Sequence, residues 1–385
     1  MRPLNLRQHL LAGQVIPAHP LALTPTRELD ERHQRALTRY YVAAGAGGIA
    51  VGVHTTQFAI HDPAVGLYRP VLELAAETAR DALARQAAAG PTSAAGALPH
   101  VPPNVASGTA GRAPRDFVLV AGLVGDTRQA VHEAEVARAL GYHCGLLSLA
   151  ALREWDDEAL VRHARAVSEV LPIVGFYLQP AVGGRTLGHR FWRELAELPN
   201  LVAIKIAPFD RYRTYDVVRA VTEAGRDDVA LYTGNDDNIL VDLLTPFPVL
   251  AGGRRVLRRM VGGLLGQWAV WTRGAVTMLD EIRKAVTAQG ADGYGPVGVE
   301  WLVRGAALTD ANGAIFDAHH GFAGCLPGIH EVLRRQGLMR GVWTLDPRER
   351  LSDGQSDEID RVLCSHPELA DDAFVAAHRD EWLAP

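Results

Sequence analysis

Lys205 stands inside an apolar run, Leu201-Val202-Ala203-Ile204-Lys205-Ile206-Ala207, in a chain whose 39 basic residues include only one other lysine, Lys284. Taking an ammonium out of water without a partner disfavours its charged form and lowers its pKa, which leaves a neutral, nucleophilic amine. A guanidinium stays protonated, so arginine cannot replace lysine where a covalent imine to a carbonyl is made. The other reading of this run, a strand-end lysine whose head snorkels to solvent, is open on these residues alone. Reactive residue types end three further apolar runs. Tyr177 closes 173–177, His54-Thr55-Thr56 follows 48–53, and Gly234-Asn235-Asp236-Asp237 follows 229–232. A desolvated amine, a phenol and hydroxyl donors for a carboxylate together make an imine-forming site. Taken singly, Tyr177 reads equally as a core aromatic, Thr55 and Thr56 as β-branched strand-end residues, and Asn235 and Asp236 as helix caps.

The elements that must position these groups alternate along the chain. Short β-branched runs at 15–18, 48–53, 117–121, 144–149, 173–177, 201–206 and 229–232 are separated by helical patterns at 29–44, after Pro70, and at 126–140, 156–171, 187–198 and 214–224. Gly45 suits the end of the second-listed element's preceding helix, and Asp126 with Gln129 resembles a capping box. The stretch 246–259 is irregular, and an eighth strand is expected between 255 and 265. This order predicts an α/β chain folded as a (β/α)8 TIM barrel over 1–271, with a C-terminal helical extension and tail over 272–385. An Ala, Gly, Pro and Ser-rich stretch at 87–115 reads as a flexible surface insertion. In such a barrel catalytic groups lie at the C-terminal ends of strands, where Lys205, Tyr177 and the other candidates fall. A period of two puts Leu201, Ala203 and Lys205 on one face, with Ala203 leaving room for the lysine stem.

Composition removes other classes. With 48% hydrophobic and 22% charged residues over 385, and a formal net charge of −5, the chain is that of a globular protein without a basic footprint for nucleic acid. Three scattered cysteines fit a reducing, cytoplasmic setting and give neither a disulfide framework nor a zinc site. No stretch reaches the roughly 18 apolar residues needed to span a bilayer, so no membrane partner is expected. His54, His61, His143 and the pair His319-His320 lack a metal-binding spacing, and no metal or other cofactor is expected. His54 can serve as an acid or base, or satisfy a hydrogen bond at the site mouth.

Five segments then carry a resemblance: Pro-Ala-His-Pro-Leu-Ala-Leu-Thr-Pro (17–25), Gly-Gly-Ile-Ala-Val-Gly-Val-His-Thr-Thr (47–56), Phe-Tyr-Leu-Gln-Pro (176–180), Leu-Pro-Asn-Leu-Val-Ala-Ile-Lys (198–205) and Thr-Gly-Asn-Asp (233–236). In order and spacing they resemble the dihydrodipicolinate synthase and N-acetylneuraminate lyase family, Schiff-base class I aldolases built on a barrel. The resemblance covers 15–60 and 117–245, with a fainter echo at 316–337. It implies that Lys205 forms an imine with a pyruvate-like 2-oxo acid, that Tyr177 shuttles protons, and that Thr55 and Thr56 hold the carboxylate. His54, Gln179, Asn235 and Asp236 complete the expected substrate site, and a homodimer or homotetramer is implied. Three departures stand out. His54-Thr55-Thr56-Gln57-Phe58 replaces the usual Gly-Thr-Thr-Gly-Glu, Ser148-Leu149-Ala150 replaces Pro-Tyr-Tyr, and Val182 stands where synthases carry an arginine for the second substrate's carboxylate. These point away from dihydrodipicolinate synthesis and toward another carbon–carbon lyase or synthase acting through Lys205. Two alternatives remain at this stage. One is a divalent-metal-dependent aldolase or hydrolase on the same barrel, and the other a protein that binds a 2-oxo acid without turnover.

Overall fold

Short strands buried on both faces build two apolar layers, one inside a barrel and one between the barrel and its helices. The computed structural model describes residues 4–88, 116–290 and 295–385. Of the expected insertion, 89–115 lies outside the described residues, while 87 and 88 end the helix Tyr68–Ala88. The strands are β1 (Val15–Pro17), β2 (Gly48–Val51), β3 (Val118–Leu123), β4 (Cys144–Leu147), β5 (Ile173–Leu178), β6 (Leu201–Ala207), β7 (Ala230–Thr233), β8 (Phe247–Ala251), β9 (Arg254–Arg258) and β10 (Gly262–Leu265). Eight of them pair in parallel in the order β1-β10-β7-β6-β5-β4-β3-β2. A parallel bridge between Ala18 and Ala50, with the His19 N–H donating to the Ala50 carbonyl at 2.8 Å, joins the two edges and closes the (β/α)8 barrel.

The expected eighth strand is β10, at the C-terminal end of the window read for it. The stretch before it is not irregular. β8 and β9 form an antiparallel hairpin whose Gly252-Gly253 turn has φ of 55° and 75°, which only glycine adopts freely.

Helix ends follow their local chemistry. Asp30 accepts from the His33 N–H, and Gly45, at φ 96°, ends the helix Glu31–Ala44. Asp126 accepts from the Gln129 N–H at 2.9 Å, but the Gln129 side chain turns to Glu133 and the His61 carbonyl, so only half of the capping box forms.

Inside the barrel lie Ala18, Ala50, Val118, Val120, Leu146, Val174, Phe176, Ala203, Ala207, Ala230 and Leu264, and the layer under the helices holds their strand neighbours. One irregularity resets the phase of β6. Ile173 pairs with Leu201 while the next residue, Val174, pairs with Ala203, so Val202 is an extra residue on β6. Leu201 therefore faces the helices, whereas Ala203, Lys205 and Ala207 face the axis. The sequence expectation that Leu201 shares the face of Lys205 is corrected by this bulge.

Among the described residues from Thr272 on, the helices Thr272–Ala288 and Val299–Ile315 pack on barrel elements, and Cys325–Arg335 and Gln355–Ser365 pack on Val299–Ile315. The last helix, Asp372–Trp382, lies on the helix Glu31–Ala44, where the Tyr40 hydroxyl donates to Asp371 at 2.7 Å. Among the described residues no helix is long and apolar enough to cross a membrane.

Candidate active site

β6 ends inside the barrel with Lys205, 7% exposed, its ammonium nitrogen 4.6 Å from the centre of the Phe176 ring. Phe176 is the β5 partner of Lys205 in the ladder, and residues paired across a parallel sheet share a face. Gly234, just beyond β7, makes the space for the lysine stem, since a Cβ there would lie 2.7 Å from Lys205 Cε and 2.7 Å from Ala207 Cβ.

The cleft above Lys205 has a volume of about 570 Å³ including its open mouth. Its polar lining comes from strand ends, namely His54, Thr55, Gln179, Lys205 and Asp236. Its apolar lining includes Phe176, Leu178, Val182 and Phe209, together with Phe316, Phe322, Cys325 and Ile329 from the C-terminal extension.

Burial dominates the electrostatics here. It pulls the Lys205 ammonium down to about 8, against a smaller opposing pull from the Asp236 carboxylate. It pushes the Asp236 carboxyl up to about 7, with the charge of Lys205 and the N–H of Gln267, 3.0 Å from Oδ1, acting the other way. His54 is lowered to about 4, first by burial and then by the charge of Lys205, so its imidazole is neutral near pH 7. The cleft thus holds an amine with a sizeable neutral fraction near pH 7, a carboxyl that exchanges its proton in the same range, and a neutral imidazole.

Five of the eight residues expected at the site line this cleft: Lys205, His54, Thr55, Gln179 and Asp236. Three do not. Tyr177 pairs with Ile206, on the opposite face from Phe176 and Lys205, and sits in the layer under the helices with its ring 5.3 Å from that of Trp192. Its hydroxyl donates to the Leu187 carbonyl at 3.1 Å and accepts from the Leu187 N–H at 3.2 Å, and burial raises its pKa. The sheet stands between this phenol and the amine, so the expected Lys205–Tyr177 relay is not formed.

Thr56 spends its polar groups on the frame. Its N–H donates to the Val53 carbonyl at 2.9 Å, and its hydroxyl donates to the His19 carbonyl at 2.7 Å while accepting from the Gly52 N–H at 2.9 Å. Asn235 is also structural. It accepts from the Phe209 N–H at 3.0 Å and donates to Thr214 and Asp242, fixing the turn that follows β6.

The lining residues that sequence reasoning does not single out are mostly aromatic or aliphatic. Phe176 stands one position from Tyr177. Phe316, Phe322, Cys325 and Ile329 fall in the faint echo at 316–337, which marked the segment but not its contact with the cleft. Phe209 and Phe322 meet edge to face at 6.0 Å, both with left-handed backbones, at φ 52° and 70°. Such conformations cost non-glycine residues roughly 1–3 kcal/mol and persist where surrounding bonds hold them. Here those bonds are Asn235 to the Phe209 N–H, and the Phe322 N–H to the Asp317 carbonyl at 3.0 Å. Among the described residues, no group of three or more His, Cys, Asp or Glu side chains is placed to hold a metal ion.

Residues 105–246, the segment that carries β3 to β7 and Lys205, match the dihydrodipicolinate synthetase family. Over these residues the chain is similar to members of that family. It is 32% identical over 128 residues to the 4-hydroxy-tetrahydrodipicolinate synthase of Thiobacillus denitrificans, a match over 33% of this chain. The chain spans only 40% of that curated relative's length. Two solved structures share the fold over nearly their whole length. The chloride-inhibited dihydrodipicolinate synthase of Acinetobacter baumannii, complexed with pyruvate, is 17% identical with a TM-score of 0.63, covering 93% of this chain and 99% of its own. The N-acetylneuraminate lyase of Fusobacterium nucleatum is 15% identical with a TM-score of 0.63, covering 94% and 100%. The barrel fold is therefore shared with these structures, while Tyr177 is not among the residues that line the cleft.

Proposed function

We propose that the protein is a Schiff-base-forming lyase or synthase that makes or breaks a carbon–carbon bond next to a 2-oxo acid, through Lys205. The observation that carries this reading is the placement of Lys205 in the barrel axis, desolvated and facing an enclosed cleft rather than solvent. Attack of its neutral amine on the 2-oxo carbon, with loss of water, gives an imine, and the protonated imine draws electrons from C3 to form an enamine. Thr55 and Gln179 are the neutral polar groups in the cleft suited to a carboxylate and a carbonyl oxygen. In place of the phenol, the proton-handling groups that share the cleft with Lys205 are Asp236 and His54. Asp236 suits the task because its carboxyl gains and loses a proton near neutral pH. The absence of an arginine from the described lining, with Val182 in its place, favours a reaction other than dihydrodipicolinate synthesis. The fold and family extend the expectation of a cytoplasmic homodimer or homotetramer, which sedimentation can check.

One observation favours a second reading, a 2-oxo acid binder without turnover: among the described residues no tyrosine lines the cleft. Exchange of the pyruvate methyl protons in D2O, followed by proton NMR, separates the two. The lyase reading predicts exchange by the wild-type protein and its loss in Lys205→Met. Binding of pyruvate without exchange would support the binder and overturn the lyase.

A further inference from the structure

The cleft divides by chemistry in a way that bears on the second substrate. The polar groups of the cleft, Lys205, Thr55, Gln179, His54 and Asp236, come from strand ends and the turns just beyond them, and the reading above assigns them to the imine, its carboxylate and the proton transfers. What remains of the wall is apolar: Phe176, Leu178, Phe209, Phe316, Phe322 and Ile329, with Val182 beside them. Two of these rings, Phe209 and Phe322, are held against each other by strained but hydrogen-bonded backbones, one after β6 and one in the C-terminal extension. Phe316 lies near Thr55, since an added Cβ on Gly266 would meet Phe316 Cζ at 3.4 Å and Thr55 Cγ2 at 3.7 Å.

A wall of this kind has no partner for a second carboxylate and few for a chain of hydroxyls. Burying such groups there would leave them without hydrogen bonds, a cost that binding to the rest of the cleft does not offset. Apolar surface gains on the same wall.

We infer that the aldehyde joined to, or released from, the 2-oxo acid carries an aromatic or branched aliphatic group, seated between Phe209, Phe322 and Phe316. This rests on the Lys205 reading. In the synthetic direction C3 of the Lys205-bound enamine attacks the aldehyde carbon, a carbon–carbon bond forms, and the aldehyde oxygen takes a proton to become a hydroxyl. Water then hydrolyses the imine, returning the free amine and releasing a 4-hydroxy-2-oxo acid. Cleavage is the reverse, and neither direction needs an oxidant or reductant.

The test uses the full-length protein with pyruvate and three kinds of aldehyde: benzaldehyde and isobutyraldehyde, succinic semialdehyde, and glyceraldehyde. The 4-hydroxy-2-oxo acid product is measured by mass spectrometry, with pyruvate methyl exchange run in parallel. The expected result is exchange together with a kcat/KM for the apolar aldehydes at least about tenfold above the others, the scale of discrimination an apolar pocket supplies. In Val182→Arg or Phe322→Arg the added cation should turn the preference toward succinic semialdehyde. Exchange with a preference for the anionic or polyol aldehyde, or exchange with no aldehyde consumed, would overturn the inference while leaving Lys205 in its role. Failure of exchange itself would overturn the Lys205 reading and this inference with it.

Discussion

Removing the carboxylate of Asp236 should make Lys205 a better nucleophile at neutral pH while making the protein a worse catalyst. Two causes act on the amine: burial holds it down to about 8, and Asp236 partly offsets that by favouring the ammonium. A group with a pKa of about 8 is roughly 10% neutral at pH 7, whereas at an ordinary 10.5 it would be on the order of 0.03% neutral. The net shift thus raises the supply of neutral amine by roughly 300-fold, less than burial alone would give because Asp236 opposes it. In Asp236→Asn the hydrogen bond from the Gln267 N–H can be kept by the amide oxygen, but the negative charge is gone. Loss of an opposite charge lowers the pKa of an amine, so the midpoint should move down from about 8. A displacement of about one unit would raise the neutral fraction at pH 7 roughly fivefold, and no displacement can raise it more than about elevenfold. The assay is the initial rate of pyruvate adduct formation with cyanoborohydride between pH 6 and 9.5, read as intact mass. The wild-type rate should climb with pH to a plateau above about 8, and the variant should reach its plateau earlier. Methyl exchange of pyruvate should fall in the variant, because the proton-handling carboxyl is lost. A midpoint that stays in place or moves up would refute the electrostatic reasoning, and undiminished exchange would remove Asp236 from proton handling.

Gly234→Ala should weaken adduct formation, because its Cβ meets Lys205 Cε and Ala207 Cβ at 2.7 Å and displaces the amine; a fall of about tenfold or more in trapping rate with little change in melting temperature is expected. Tyr177→Phe should do the reverse. It leaves the N–H and carbonyl of Leu187 without their partner, costing about 1–3 kcal/mol in denaturant unfolding, while pyruvate trapping stays at the wild-type rate. Loss of trapping without loss of stability would place the phenol back in the reaction. Asn235→Ala frees the Phe209 N–H and should loosen the turn after β6, seen as faster amide exchange at Phe209 and Asp210.

The barrel and the inward placement of Lys205 are readable because each rests on local signals. The alternation of β-branched runs and helical patterns gave the element order, and a lone lysine in an apolar run gave the inward group. The error at Tyr177 came from ranking by residue type at a strand end. The pairing of β5 with β6 puts Phe176, not Tyr177, beside Lys205, and the bulge at Val202 that sets this register has no sequence mark. Thr56 was rightly placed at the strand end, but its hydroxyl is consumed by His19 and Gly52, a contact across 37 residues in one case. Gly252-Gly253 is a readable turn signal for the β8–β9 hairpin, but the three arginines of 254–258 hide its second strand from a hydrophobic pattern. Phe316 and Phe322 reach the cleft through packing of the C-terminal helices on the barrel, which no local periodicity encodes.

Peptide mapping after borohydride reduction in the presence of pyruvate tests the central claim most directly. The account predicts a single pyruvate-derived adduct on the peptide containing Lys205, lost in Lys205→Met. An adduct on Lys284 alone, or none under conditions where pyruvate binds, would contradict it.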